Sequence, residues 1–130
     1  MQANTQTLPI TLTPELDFDQ NAASAFGESL TSEYTQATPF PHIVIDNFLQ
    51  ADVIASIREH FPVEPTNNEQ IYERGYKGQL KRQISPNACS PYLKNVFNTF
   101  NSAPMLEFRE KLTGIQGLIP YPYFAGGGLH

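Results

Sequence analysis

The chain has 130 residues, 40% of them hydrophobic and 12% aromatic, with a formal net charge of −5 and one cysteine, Cys89. That length suits one small domain or part of a larger one, and the apolar content excludes wholesale disorder. A single cysteine excludes an internal disulfide and multi-cysteine zinc sites, and no apolar run nears the ~20 residues that span a bilayer.

Charge is unevenly spread. Residues 1–66 hold nine acids against Arg58 alone, whereas residues 67–130 hold seven bases against four acids. Those bases are scattered, Lys81, Arg82, Lys94, Arg109 and Lys111 among them, and do not make the dense stripe of a nucleic-acid footprint. Residues 1–7 lack the basic and apolar regions of a signal peptide, so the expectation is a soluble cytoplasmic protein with neither membrane nor nucleic acid as partner.

Residues 1–38 are rich in Thr, Gln, Ala, Ser and acids, and only Ala22, Ala25, Phe26 and Leu30 outline a helical face, which reads as a polar tail or weakly held helix. Pro39-Phe40-Pro41 then gives way to His42-Ile43-Val44-Ile45, a β-branched run expected to form a buried strand, with a turn at Asp46-Asn47. Over residues 51–61, Val53, Ile54, Ile57 and Phe61 recur at helical spacing, Asp52 suits the positive end of the dipole, and Pro62 ends the helix. Residues 63–87 are irregular, with Gly75, Gly78 and Pro86, and predict a long loop with at most a short strand over residues 79–84.

Two helices with clear start signals follow. Ser90 as N-cap and Pro91 in the first turn lead into Leu93, Val96, Phe97 and Phe100 at i, i+3, i+4 and i+7. Ser102 and Pro104 repeat the device for a helix presenting Met105, Phe108 and Leu112, which ends at Gly114. Residues 115–120 read as a short strand or extended turn, and Gly126-Gly127-Gly128-Leu129-His130 as the entrance to a strand, its glycines permitting a tight turn or bulge.

Two blocks, PFPHIVIDNFL at residues 39–49 and SAPMLEFREKLTGIQGLIPYPYFAGGGLH at residues 102–130, resemble the N-terminal half of the Fe(II)- and 2-oxoglutarate-dependent dioxygenases, in particular the prolyl-4-hydroxylase-like branch. Tyr121 departs from that pattern, which has an acidic residue before Pro122. The resemblance implies an α+β fold in which a helical support and first strands belong to a double-stranded β-helix of jelly-roll or cupin type. It divides the chain at residue 38, with residues 39–130 as the N-terminal part of the oxygenase-like domain. The cofactors it implies are Fe(II) and 2-oxoglutarate, with the H-x-D motif, the distal iron-binding His and the basic partner of the 2-oxoglutarate carboxylate expected beyond His130.

Within that frame His130 is the candidate cofactor-binding residue, either lining the 2-oxoglutarate or substrate pocket or serving a structural role; no residue is assigned as catalytic or as an iron ligand. Tyr72, Tyr76, Tyr121 and Tyr123 offer an aromatic wall to a peptide or small-molecule substrate, or simply pack. His42 and His60 have no Asp or Glu at ligand spacing, and Cys89 has no adjacent His to make it a nucleophile. The expected function is part of an oxidoreductase that hydroxylates a C–H bond, inactive over these 130 residues alone and leaving an unpaired sheet edge at residues 126–130. The alternative is a non-catalytic binding module of oxygenase ancestry.

Overall fold

The computed structural model describes residues 16–62, 69–71, 82–123 and 129. Four helices dominate them: α1, Gln20–Gln36; α2, Ala51–His60; α3, Pro91–Phe100; and α4, Ala103–Thr113. Two three-residue strands, β1 (Glu69–Ile71) and β2 (Arg82–Ile84), pair antiparallel, and a short 3-10 turn at Pro86–Ala88 leads from β2 to α3.

Helix α1 begins where Asp19 takes the N-cap and its Oδ1 accepts from the Ala22 N–H at 2.8 Å, satisfying one of the orphan donors of the first turn. Phe18 precedes that cap and shares a buried cluster with Ala23, the pair of positions joined by a hydrophobic staple. Ala23, Phe26, Gly27 and Leu30 form the buried stripe of α1. The segment read as a tail or weakly held helix therefore contributes directly to the core.

The partner of that stripe is α4. Ser24 Oγ donates to Glu107 Oε1, Gly27 lies on Phe108, and Thr31 Oγ1 donates to the Lys111 carbonyl at 2.8 Å, so contacts advance in the same direction along both helices and the pair is parallel. A Cβ on Gly27 would stand 2.4 Å from the Phe108 carbonyl oxygen, closer than real atoms approach, and a tight 3.2 Å from Lys111 Cβ. Glycine at this position is what lets the two backbones meet. Phe26 and Phe108 stack beside it with ring centroids 5.6 Å apart.

Met105, Phe108 and Leu112 are buried as the spacing of α4 predicts, and the helix ends on Gly114 at φ +78°, whose N–H donates to the Glu110 carbonyl. Helix α3 has its expected Ser90 cap, with Oγ accepting from Leu93 N–H, and its expected Pro91. Its buried residues are Leu93 and Thr99. Thr99 is a polar residue that the apolar stripe passes over, and its Oγ1 lies 2.6 Å from the Leu16 carbonyl and 2.9 Å from that of Asn95. Leu16 sits at φ +61°, an uncommon place for a leucine, and this bond helps hold it there.

Phe48 ties the layers together. It stacks on Phe100, meets Phe18 edge-on and lies 6.4 Å from Phe108, so α3, α4 and the chain before α1 converge on one ring from the loop before α2. Helix α2 is the least embedded: Val53 is buried and Ile57 packs on the core, but Ile54 faces outward.

Among the described residues the protein is helical, and it is not an α+β chain carrying the first strands of a double-stranded β-helix. Residues 42–45 belong to no strand; Ile43 and Ile45 pack on the core while Val44 is 73% exposed. Residues 115–121 likewise belong to no strand, leaving Ile119 86% exposed. β-branched residues favour extended backbone, but a strand also needs a neighbour, and neither segment has one among the described residues. The short strand expected over residues 79–84 is present as β2.

Candidate functional site

The glycine-rich block approaches the rest of the molecule through Leu129. Its N–H donates to the Ile84 carbonyl at 2.9 Å and its carbonyl accepts from Ile84 N–H at 2.8 Å, the reciprocal pair of an antiparallel bridge. β2 is thus flanked by β1 on one side and Leu129 on the other, and Ile84 at the join is sealed from solvent. His130, Gly126, Gly127 and Gly128 lie outside the described residues, as do Tyr72, Tyr76 and Lys81. The edge expected at residues 126–130 is therefore described only at Leu129.

Tyr121 and Tyr123 are brought together, edge to face at 5.8 Å, and both are largely exposed. Their segment is pinned at two points. Asn101 Nδ2 donates to the Tyr121 carbonyl, and Leu118 N–H donates to Glu110 Oε1 at 2.9 Å. Each pin joins a helix end to extended backbone, which fixes the path of residues 115–121 without a sheet partner.

The remaining sequence candidates are separated. His42 Nδ1 lies 2.8 Å from the Phe40 carbonyl, with the two rings edge to face. His60 Nδ1 lies 2.8 Å from the Ser56 carbonyl one turn back, and its ring stacks on Tyr92 at 4.7 Å. Both imidazoles are occupied structurally. Cys89 is half-buried, its Sγ donates weakly to the Ser85 carbonyl at 3.4 Å, and burial pushes its thiol up from the ordinary 9.0, which favours the unreactive protonated form.

Two surface concavities flank the core. A shallow groove of about 670 Å³ is lined by Asn47, Phe48, Leu49, Gln50, Ala51 and Ile54, and continues along α2 to Arg58. Its lining is mostly apolar, with Arg58 and Glu59 at the α2 end. The other, about 490 Å³, gathers Glu28, Glu107, Glu110 and Lys111 around Gly114 and Gly117. Glu107 and Glu110 there already accept structural hydrogen bonds from Ser24 and Leu118. Among the described residues no group of three or more His, Cys, Asp or Glu is placed to hold a metal ion. The two His and one carboxylate of a facial iron site are not assembled from them.

Sequence reasoning missed Gly27, Thr99 and Phe48, which organise this support. A glycine inside an otherwise helical pattern was a readable signal of close packing. Nothing in the local pattern marks Thr99, whose burial depends on a carbonyl 83 positions away. No described helix is long and apolar enough to cross a membrane. No family model, curated protein or solved structure matches the chain.

Proposed function

We propose that this chain is the helical N-terminal portion of an oxidoreductase that hydroxylates a C–H bond of a peptide or small molecule using Fe(II), O₂ and 2-oxoglutarate, in the manner of prolyl hydroxylases. The observation that carries this reading is where the two motif blocks lie. Ile43, Ile45, Phe48 and Leu49 of the first pack on the same core as Met105, Phe108 and Leu112 of the second, so blocks some 60 positions apart in sequence form one unit. Leu129 of the glycine block is joined to β2 beside that unit.

The described residues do not fit an iron centre, so no chemical step is assigned to them. In this reading their part is mechanical: a parallel helix pair locked at Gly27, with α3 packed between α2 and α4, gives a base against which a site can be held. Fe(II) and 2-oxoglutarate would supply the oxidising chemistry, on ligands other than these.

Anaerobic calorimetry with Fe(II) and 2-oxoglutarate, paired with succinate detection under air, tests this on the chain alone and on the chain extended through its downstream reading frame. Binding and 2-oxoglutarate-dependent succinate formation by the longer polypeptide alone are expected. Failure of both to bind would overturn the oxygenase reading. A second reading, a non-catalytic interaction module, is favoured by the exposure of Phe40, Val44, Ile119 and Tyr123, large apolar groups open to a partner.

A further inference from the structure

Residues 42–46 combine three properties seldom found together on an exposed segment. Residues 42–45 belong to no helix, strand, turn or bend, and among the described residues no backbone hydrogen bond joins residues 43–46 to another segment. Side chains alternate: Ile43 and Ile45 pack on the core, whereas Val44 and Asp46 face solvent and His42 is half-exposed. Both ends are closed, by Pro41, which has no N–H, and by the turn at Asn47, where φ is +53°. The result is a segment with strand-like alternation, one side packed on the core and the other open, with Val44 at its midpoint.

We propose that this edge pairs antiparallel with the same segment of a second copy of the chain, about a two-fold axis through Val44. The sequence is self-complementary in that register. Val44 meets the second copy's Val44, Ile43 meets its Ile45 on the inner side, and His42 meets its Asp46 on the outer side. The axis repeats each pair, so a hydrogen-bonding or ionic His–Asp contact flanks the valines on both sides. Shifting the register by one residue would turn the inward isoleucines out, which specifies the alignment. The main-chain hydrogen bonds gained are those this segment lacks among the described residues.

An interface this short falls well below ~1,200 Å² and is expected to associate weakly, so sedimentation equilibrium is run up to about 1 mM protein. Amide hydrogen exchange is followed at low and high concentration on the same samples. The expected result is a monomer–dimer equilibrium with concentration-dependent protection confined to residues 42–46. Val44→Lys should abolish the dimer while leaving the cooperative melt intact, because Val44 is exposed. His42→Asp should weaken it by about tenfold or more through acid–acid opposition, and adding Asp46→Lys to that variant should restore it. A monomer at ~1 mM with unprotected amides, or a dimer that survives Val44→Lys, overturns the proposal. Protection of residues 42–46 that does not depend on concentration overturns it as well, since a segment of the same chain would then cover the edge.

Discussion

Large apolar residues are denser in the irregular segments at residues 39–46 and 115–123 than in the α1–α4 pair, yet the pair buries most of its own while Phe40, Val44, Ile115, Ile119, Tyr121 and Tyr123 stand exposed. Phe26, Leu30, Phe108 and Leu112 are each at most 7% exposed, against 63% for Phe40 and 86% for Ile119. The contrast follows from backbone hydrogen bonding. A helix satisfies its own N–H and C=O groups and can bury a face wherever another helix fits, whereas non-helical backbone needs partners from elsewhere in the chain before it can leave water. Hydrophobic content alone therefore does not say what enters the core; the secondary structure that carries it does.

Mutations should expose that contrast as a gradient. Phe108→Ala removes the ring shared by the Phe26 and Phe48 contacts and should cost about 3–5 kcal/mol, read as a shift of the denaturant midpoint. A loss below ~1 kcal/mol would mean that the aromatic cluster is not the centre of the fold. Gly27→Val drives a branched side chain into the Phe108 backbone and should cost about 2–3 kcal/mol, an effect that no gain in helix propensity offsets. If it is neutral, the helices do not approach as closely as described.

Thr99→Val keeps the shape but leaves the Leu16 carbonyl without its donor, with an expected loss of about 1–2 kcal/mol and faster amide exchange at the start of α1. On the extended segment, Ile119→Ser should change stability by less than ~0.5 kcal/mol. A large loss there would show that the displayed residues are covered in solution and would erase the contrast.

The smallest effect concerns pH. The Cys89 thiol is raised by burial, so its contribution to stability is fully present below the ordinary 9.0 and fades as pH rises through the folded-state value. Melting curves at alkaline pH should fall more steeply for the parent chain than for Cys89→Ala. Identical slopes would show the thiol to be effectively solvated.

Much of the helical frame was legible because its signals are local. The caps at Ser90 and Gly114, the prolines at positions 91 and 104, and the Met105, Phe108, Leu112 stripe all act within a turn or two, and each behaves as its residue type dictates. The β reading failed at residues 42–45 because strand formation is a property of pairs of segments, and a β-branched run specifies only one of them. The candidate site was less legible still. His130 lies outside the described residues, and the residues that would hold iron are not gathered among those described.

By itself the sequence determined where α3 and α4 start, where α4 stops and which face of α4 is apolar, since capping and periodicity are near-neighbour physics. Only the tertiary structure decided that α1 belongs to the core, that Gly27 is a contact point, that Thr99 is buried, and that the isoleucines of residues 42–45 face inward without a strand beside them. Each of those outcomes depends on an atom supplied by a distant part of the chain, or on the lack of one, and no window of neighbouring residues carries that information.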